Sequence, residues 1–336
     1  MKKAICVGVF DSKLICQASP YPGDNVFAKG LEGNGYSVTR FDYRASAQPN
    51  EELINISEQI KPDLFYFGKC ETIRPETIGL LRKKNKNSVY IKFAADVRDN
   101  PTNHDLAHCS EVDWFFGTFG GDYLKQHLLP NMIGVGSIFT FTDSHFYTAV
   151  EIPEQYQSDV LWTGRRGFGD NPLRNEIIDS FSDILSKQAA EAKSEKHINI
   201  KMFGHDSTTW LGSPEYNYYI NGTKIGIGSN SFNRTKYSSD RLGNYMACGT
   251  FYLTQYIEGI EEVFTRGEHL DWFFTVEEMH EKIKYYLSHP VERDVIAEKG
   301  RQRVLEYFDS RRLLRSLLQI IKHKKKQHPW EDVFIN

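Results

Sequence analysis

Long apolar runs are missing from this 336-residue chain, and nothing approaches the ~20 consecutive apolar residues that a membrane-spanning helix needs. The opening MKKAICVGVF is apolar only briefly and lacks the longer apolar region and small-residue cleavage site of a secretory leader. The expectation is a soluble protein that remains in the cytoplasm. Cysteine is sparse. Cys6, Cys16, Cys70, Cys109 and Cys248 are odd in number and show no CxxC spacing, which argues against a disulfide framework and a structural zinc site. They read as reduced, mostly buried thiols.

Charge of one sign is nearly absent as well. A formal net charge of −3 exerts no global pull toward nucleic acid, although a balanced chain can still carry a local basic groove. No repeat of fixed period occurs, and the one biased segment is the basic run KHKKK from Lys322 to Lys326, so solenoids and disordered tails are excluded as main features. Aromatic residues are plentiful at 13%. They suit a cleft that stacks sugar rings or a nucleobase, but ordinary aromatic cores explain them more simply.

The length favours two domains over one large one. In the first half, short apolar runs (KAICVGVF, YSVTRFDY, DLFYFG, SVYIKFAAD, VDWFFGT, NMIGVGS) alternate with polar helical stretches. That alternation signals βαβ units in a parallel sheet of six strands. Periodicity lapses between Ile138 and Ser158, then DVLWTG, INIKMFG, TKIGIGS and TFYLTQY restart it with helices between. The predicted fold class is therefore α/β with two Rossmann-like domains, one over 1–150, one over 151–308, and a C-terminal helix and tail over 309–336. From residue 276 onward the pattern reads as helices throughout.

Ligands of open α/β sheets sit at the carboxyl ends of the strands, so the loops there carry the candidate chemistry. In WTGRRGFGDNPLR, Gly164, Gly167 and Gly169 let backbone approach a ligand, and Arg165 and Arg166 offer guanidinium forks for phosphate. A glycine-rich turn with solvated arginines reads equally well, since neither GxGxxG nor a P-loop lysine is present in this loop. Further on, a strand ends near Ser229 and Asn230, and a helix begins at Ser238, Ser239 and Asp240. Its free amides and Arg241 would receive an anion, and Asn244, one turn later, would reach a ribose hydroxyl. After FAAD, Asp96 is a candidate general base for an acceptor hydroxyl, with Asp11 after the first strand as its rival; the competing reading is a turn former near Asn100 and Pro101.

The segment R-x-x-x-x-x-ACG-T-F-x-L-T, followed by Y-x-E-G-x-E-E-x-F-x-x-G, resembles the glycosyltransferases related to spore maturation protein CgeB. VEEMHEKIKYYLSHPVERDVIAEKGRQRVLEYF continues the resemblance, and KPDLFYFGK, FAADVRDNP and TDSHFY carry it more loosely upstream. The resemblance implies the GT-B fold, with two Rossmann-like domains facing across a cleft and the last helix returning to the first of them. It implies a nucleoside-diphosphate sugar donor of unspecified base and sugar, bound by the second domain. It further implies a hydroxyl acceptor presented by the first domain, and transfer without a metal or other cofactor. Gly164, Arg165, Arg166, Lys224, Ser229, Asn230, Arg241, Asn244, Tyr256 and Glu258 are the expected donor contacts. Members of the family commonly carry Glu where this chain has Asn244, which removes a charge from the ribose position and makes Glu258 a substitute.

Other readings stay open. A nucleotide-sugar epimerase or a non-catalytic nucleotide- or carbohydrate-binding module would use the same scaffold, and the acceptor ranges from surface polysaccharide, protein side chain or metabolite to a modified nucleic-acid base. His104 and His108, four apart beside Asp105 and Cys109, imitate a metal pair, but the Glu of HExxH and any further ligand are missing, so no metal is expected. LLRSLLQIIKHKKK combines an apolar helical face with a cationic end, a pattern that can hold a protein weakly on an anionic membrane surface. The preferred reading packs Leu313, Leu314, Leu317, Leu318 and Ile321 on the first domain. The oligomeric state is not specified by any of these features.

Overall fold

The computed structural model describes residues 1–11, 23–167, 169–190, 197–206, 211–212 and 214–336; Cys16 therefore lies outside the described residues. The chain forms two compact units. The first begins with β1 (Lys2–Gly8), α1 (Gly23–Gly33), β2 (Tyr36–Asp42), α2 (Pro49–Ile60), β3 (Leu64–Phe67), α3 (Pro75–Lys84), β4 (Val89–Ala94), α4 (Asn103–Cys109), β5 (Trp114–Gly117), α5 (Gly121–Lys125) and β6 (Gly134–Ser137). The second contains β7 (Ser158–Thr163), α6 (Pro172–Ala190), β8 (Ile200–Phe203), α7 (Glu215–Gly222), β9 (Thr223–Gly228), α8 (Asp240–Ala247), β10 (Phe251–Gln255), β11 (Asp271–Phe273), α9 (Val276–Ser288) and α10 (Pro290–Tyr307). The chain then completes the first unit with α11 (Ser310–His323) and β12 (Val333–Ile335).

In the first unit the strand order is β12-β6-β5-β4-β3-β1-β2, parallel except for β12, which pairs antiparallel with β6. Strands buried on both faces need continuous apolar runs, and LFYF of β3 and WFFG of β5 are buried at every position. Phe27, Tyr66, Phe93 and Phe141 pack together between this sheet and α1 in stacked, tilted and edge-to-face contacts, so these aromatics build core and are not a ligand platform. The α11 side chains Leu313, Leu314, Leu317 and Ile320 close the same core, while Leu318 and Ile321 pack at its margin. In the second unit the order is β11-β10-β9-β7-β8, all parallel.

Three features depart from the sequence reading. Residues 142–150 pack with the second unit, not the first. Thr142 reaches Asn244 through its hydroxyl (3.3 Å), and the Val150 amide donates to Asn221 Oδ1 (3.0 Å). Residues 234–236 cross in the other direction and belong to the first unit, where Lys236 Nζ is buried against Trp330 O (3.0 Å) and Asp332 Oδ1 (2.9 Å). Finally, the C-terminus is not helical throughout. Periodicity signals do not reveal a three-residue edge strand, and β12 forms because Val333–Ile335 find the open edge of β6.

Candidate functional site

In each unit the chain order reverses next to its first strand. The reversal falls between β3 and β1 in the first unit and between β9 and β7 in the second. At such a point the loops leaving adjacent strands diverge and open a crevice at the carboxyl edge. In the second unit that crevice lies between Gly164, just past β7, and Ser229, just past β9.

Two guanidinium groups converge there. Arg174, in the first turn of α6, is 2% exposed. It donates from Nε to Arg165 O (2.8 Å) and from Nη1 to Ser229 O (2.7 Å), and its guanidinium carbon lies 5.2 Å from the centre of the Trp162 ring. Arg241, in the first turn of α8, donates from Nη2 to the same Ser229 carbonyl (2.7 Å). A Cβ on residue 164 would stand 2.4 Å from Arg174 Nη2 and 3.4 Å from Arg241 Nη1, so only glycine leaves room for both. Among the described residues no carboxylate lies within ion-pair distance of either arginine, and Arg241 Nε is buried without a hydrogen-bond partner. Burial and the neighbouring Arg241 charge pull the Arg174 pKa down to about 9. Against burial, Tyr252 and Asp240 favour the Arg241 charge and hold its pKa above the usual value, and an anion set between the two guanidinium groups would relieve their mutual repulsion.

An amide network holds the loops. Asn171 Nδ2 donates to Asn230 O (2.7 Å) and Gln255 Oε1 (2.5 Å), and Gln255 Nε2 to Asn233 Oδ1 (3.0 Å). Asn230 donates to Tyr237 O (2.5 Å) and accepts from the Ser239 amide (3.2 Å), which fixes the start of α8. The Ser239 hydroxyl makes no capping bond, and the Asn230 side chain holds the helix start instead.

The expected donor contacts separate accordingly. Gly164, Ser229, Asn230 and Arg241 come together at the crevice. Tyr256 and Glu258 follow β10 at the same edge of the sheet, Tyr256 donating to Glu261 (3.1 Å) and Glu258 exposed. Arg165 and Arg166 are exposed on the loop, and Arg166 pairs with Asp179 at 2.6 Å. Lys224 does not fit the site: it is the second residue of β9, at the amino edge, and it pairs with Asp159 at 2.7 Å. Asn244 is 3% exposed and its amide oxygen accepts from Thr142, so it is engaged inside the unit. Nothing in the local sequence pattern marks Arg174, Asn171 or Gln255 as part of the crevice. Arg174 closes the very motif WTGRRGFGDNPLR, but its place inside a helix hid that the side chain points back to the strand end.

In the first unit, Asp96 is exposed and 3.6 Å from Lys69, and Asp11 is exposed after β1. A carboxylate not anticipated from sequence occupies the β1/β3 crevice. Asp24 accepts from the Val9 amide (2.8 Å) and the Tyr66 hydroxyl (3.0 Å), and a Cβ at Gly8 or Gly68 would collide with it. Burial, against these hydrogen bonds, lifts its pKa to about 6. A carboxyl whose folded pKa is raised binds a proton more tightly in the native state, so its contribution to stability is present below the unfolded value of about 4 and fades as pH rises through about 6. Urea titrations between pH 4 and 7 are expected to show this decline in the wild type and a flatter profile in Asp24→Asn; equal profiles would remove Asp24 as its source.

The histidine pair is structural. His108 Nε2 is 2.7 Å from Ile73 O and its Nδ1 3.6 Å from Cys70 Sγ, with the His104 ring 4.2 Å away and tilted by 56°. Among the described residues no three His, Cys, Asp or Glu side chains converge as a metal site, and no helix is long and apolar enough to cross a membrane.

Residues 184–319 match the family model described as "Glycosyl transferase-like". No curated protein matches the chain. Among solved structures it is similar to sucrose-phosphate synthase (tll1590) from Thermosynechococcus elongatus, with a TM-score of 0.60 at 10% identity over 97% of this chain and 100% of that one. It is similar to Anabaena Alr3699/HepE, solved in complex with UDP-glucose, with a TM-score of 0.58 at 9% identity over 96% and 100%. A glycosyltransferase from Rickettsia africae ESF-5 gives 0.58 at 15% identity over 96% and 98%. These likenesses establish the fold: the chain has the two-domain GT-B architecture.

Proposed function

We propose that this protein is a glycosyltransferase that takes its sugar from a nucleoside-diphosphate donor held by the second unit. One observation carries the reading: Arg174, buried, and Arg241, half-buried, donate side by side to the Ser229 carbonyl with no carboxylate within ion-pair distance among the described residues, at the crevice beside the start of α8. A diphosphate leaving group develops negative charge as the glycosidic bond breaks, and two fixed guanidinium groups in a desolvated crevice stabilise that charge without reorganising. They supply the work a divalent cation does elsewhere, so transfer is independent of metal. The match of residues 184–319 to a glycosyltransferase-like model and the UDP-glucose bound to the similar Anabaena protein support the same donor class. The CgeB-like resemblance of the Arg241 to Glu258 segment is the finer assignment.

The acceptor is a hydroxyl brought to the carboxyl edge of the first sheet. Asp96, Asp11 and Asp24 stand in loops or a helix start at that edge as candidate general bases, and burial lifts the Asp24 pKa to about 6, a value suited to that role.

The test is a thermal-shift panel of UDP, UDP-sugars, GDP-sugars, CMP-sugars and dTDP-sugars, since a ligand bound only by the native state raises its melting temperature. Stabilisation by one nucleotide series is expected, and none by any would end the proposal. Incubating the stabilising donor alone and analysing products separates transfer and slow hydrolysis from epimerisation, which would return an isomerised nucleotide sugar.

A further inference from the structure

The face of α11 that looks away from the core is cationic. Leu313, Leu314, Leu317 and Ile320 turn inward, leaving Arg311, Arg312, Arg315 and Lys322 exposed, followed by Lys324, Lys325 and Lys326. The sign is a property of the whole first unit. It holds 25 Lys and Arg against 19 Asp and Glu, while the second holds 16 against 25, so the small net charge of the chain conceals two opposite halves.

A pocket of about 440 Å³ opens on this face. Lys2, Tyr36, Leu64 and Val89, the first residues of β1, β2, β3 and β4, form one side, and Arg315, Leu318, Ile321 and Lys322 of α11 form the other. Leu64, Val89, Leu318 and Ile321 give it an apolar lining, three cations and the amides of Asn34 and Gln319 complete it, and no carboxylate lines it. Among the described residues none of those three cations forms an ion pair. The strands begin here, so the pocket is at the amino edge of the sheet, whereas ligands of such sheets react at the carboxyl edge. It is therefore no part of an acceptor site.

We propose that this pocket seats the anionic headgroup and first acyl carbons of a membrane phospholipid, and that α11 with the cationic run behind it holds the protein on an anionic bilayer surface. Charge complementarity selects the anionic headgroup. The half-buried Leu318 and Ile321 between Arg315 and Lys322 distinguish a lipid from a nucleic acid, which would find cations but gain nothing from these apolar side chains. The packing of α11 on the core and a membrane contact are thus compatible, because different faces of the helix serve each. The inference does not depend on the donor site.

The experiment is flotation of the full chain with vesicles of phosphatidylcholine alone or of phosphatidylcholine with a third phosphatidylglycerol. Partition onto the anionic vesicles only, weakened by salt, is expected. Arg315→Glu combined with Lys322→Glu, both exposed and harmless to the core, is expected to lower it at least about tenfold. Leu318→Ser is expected to lower it severalfold with the salt dependence retained. Equal partition onto both vesicles, no partition onto either, or unchanged partition of the charge-reversed variant would overturn the proposal. So would tighter retention by duplex DNA than by anionic vesicles, or a thermal shift with glycerol 3-phosphate in the absence of vesicle binding.

Discussion

Arg241→Ala is expected to weaken donor binding by roughly 100-fold, the equivalent of about 3 kcal/mol for removing a charge-assisted hydrogen bond from a desolvated crevice. The measurement is the nucleotide-dependent rise in melting temperature, converted to affinity by titration. Arg241 donates to Ser229 O, and its Nε is left without a partner. The side chain anchors few groups of the fold, and the unliganded variant should melt close to the wild type. Arg174→Ala is expected to lose the donor as well, but with a cost of about 2–3 kcal/mol to the unliganded protein, because Arg165 O and Ser229 O both rely on it and the Trp162 ring loses its cation. Arg241→Lys keeps the charge and loses the fork, so an intermediate affinity is expected. Arg166→Ala, whose guanidinium is taken up by Asp179, should change affinity no more than about twofold. If Arg166→Ala and Arg241→Ala weakened binding equally, the diphosphate would lie on the exposed loop and not in the crevice.

Those contrasts mark where sequence ends and structure begins. Alternating apolar runs disclosed β1 to β10 and missed the three-residue β11, because burial on two faces writes itself into runs such as LFYF and WFFG but needs length to be seen. Ser229, Asn230 and Arg241 were legible too, since a strand end followed by a helix start is a local pattern. Arg174 was not, because what matters about it is the direction of one side chain out of a helix and the missing Cβ at Gly164. Lys224 shows the converse. The resemblance makes it an expected donor contact, but a strand has two ends, and Lys224 stands at the wrong one beside Asp159. Asp24 is hidden in the sequence for a third reason: its environment comes from Gly8, Gly68 and Tyr66, which are remote in sequence and meet only through the β1/β3 neighbourhood.

Lys92→Met should be the most damaging single change in the first unit. Lys92 lies in the middle of β4 with 1% exposure, donating to Gly68 O and to Lys69 O (3.4 Å), and its Nζ is 3.7 Å from Asp105 Oδ1. It is the tie between the sheet, the loop after β3 that also bounds Asp24, and α4. Methionine fills most of the volume but satisfies neither carbonyl and leaves Asp105 without its buried counter-charge. Removing one partner of such a pair typically costs about 3–5 kcal/mol, which for a unit of this size lowers its melting temperature by roughly 10 °C. The pH dependence checks the mechanism. Asp105 is itself largely buried, but the His104 hydrogen bond, the Lys92 charge and the Thr102 hydroxyl hold its pKa well below the usual carboxylate range. A depressed carboxylate contributes stability that is present above its unfolded pKa of about 4 and lost as pH falls below it. The wild type should therefore lose stability steeply under acid, and Lys92→Met less steeply, because part of the depression has gone. A double change of Lys92→Met with Asp105→Asn should cost less than the sum of the two single changes. Strict additivity would mean that Lys92 acts through the Gly68 and Lys69 carbonyls alone.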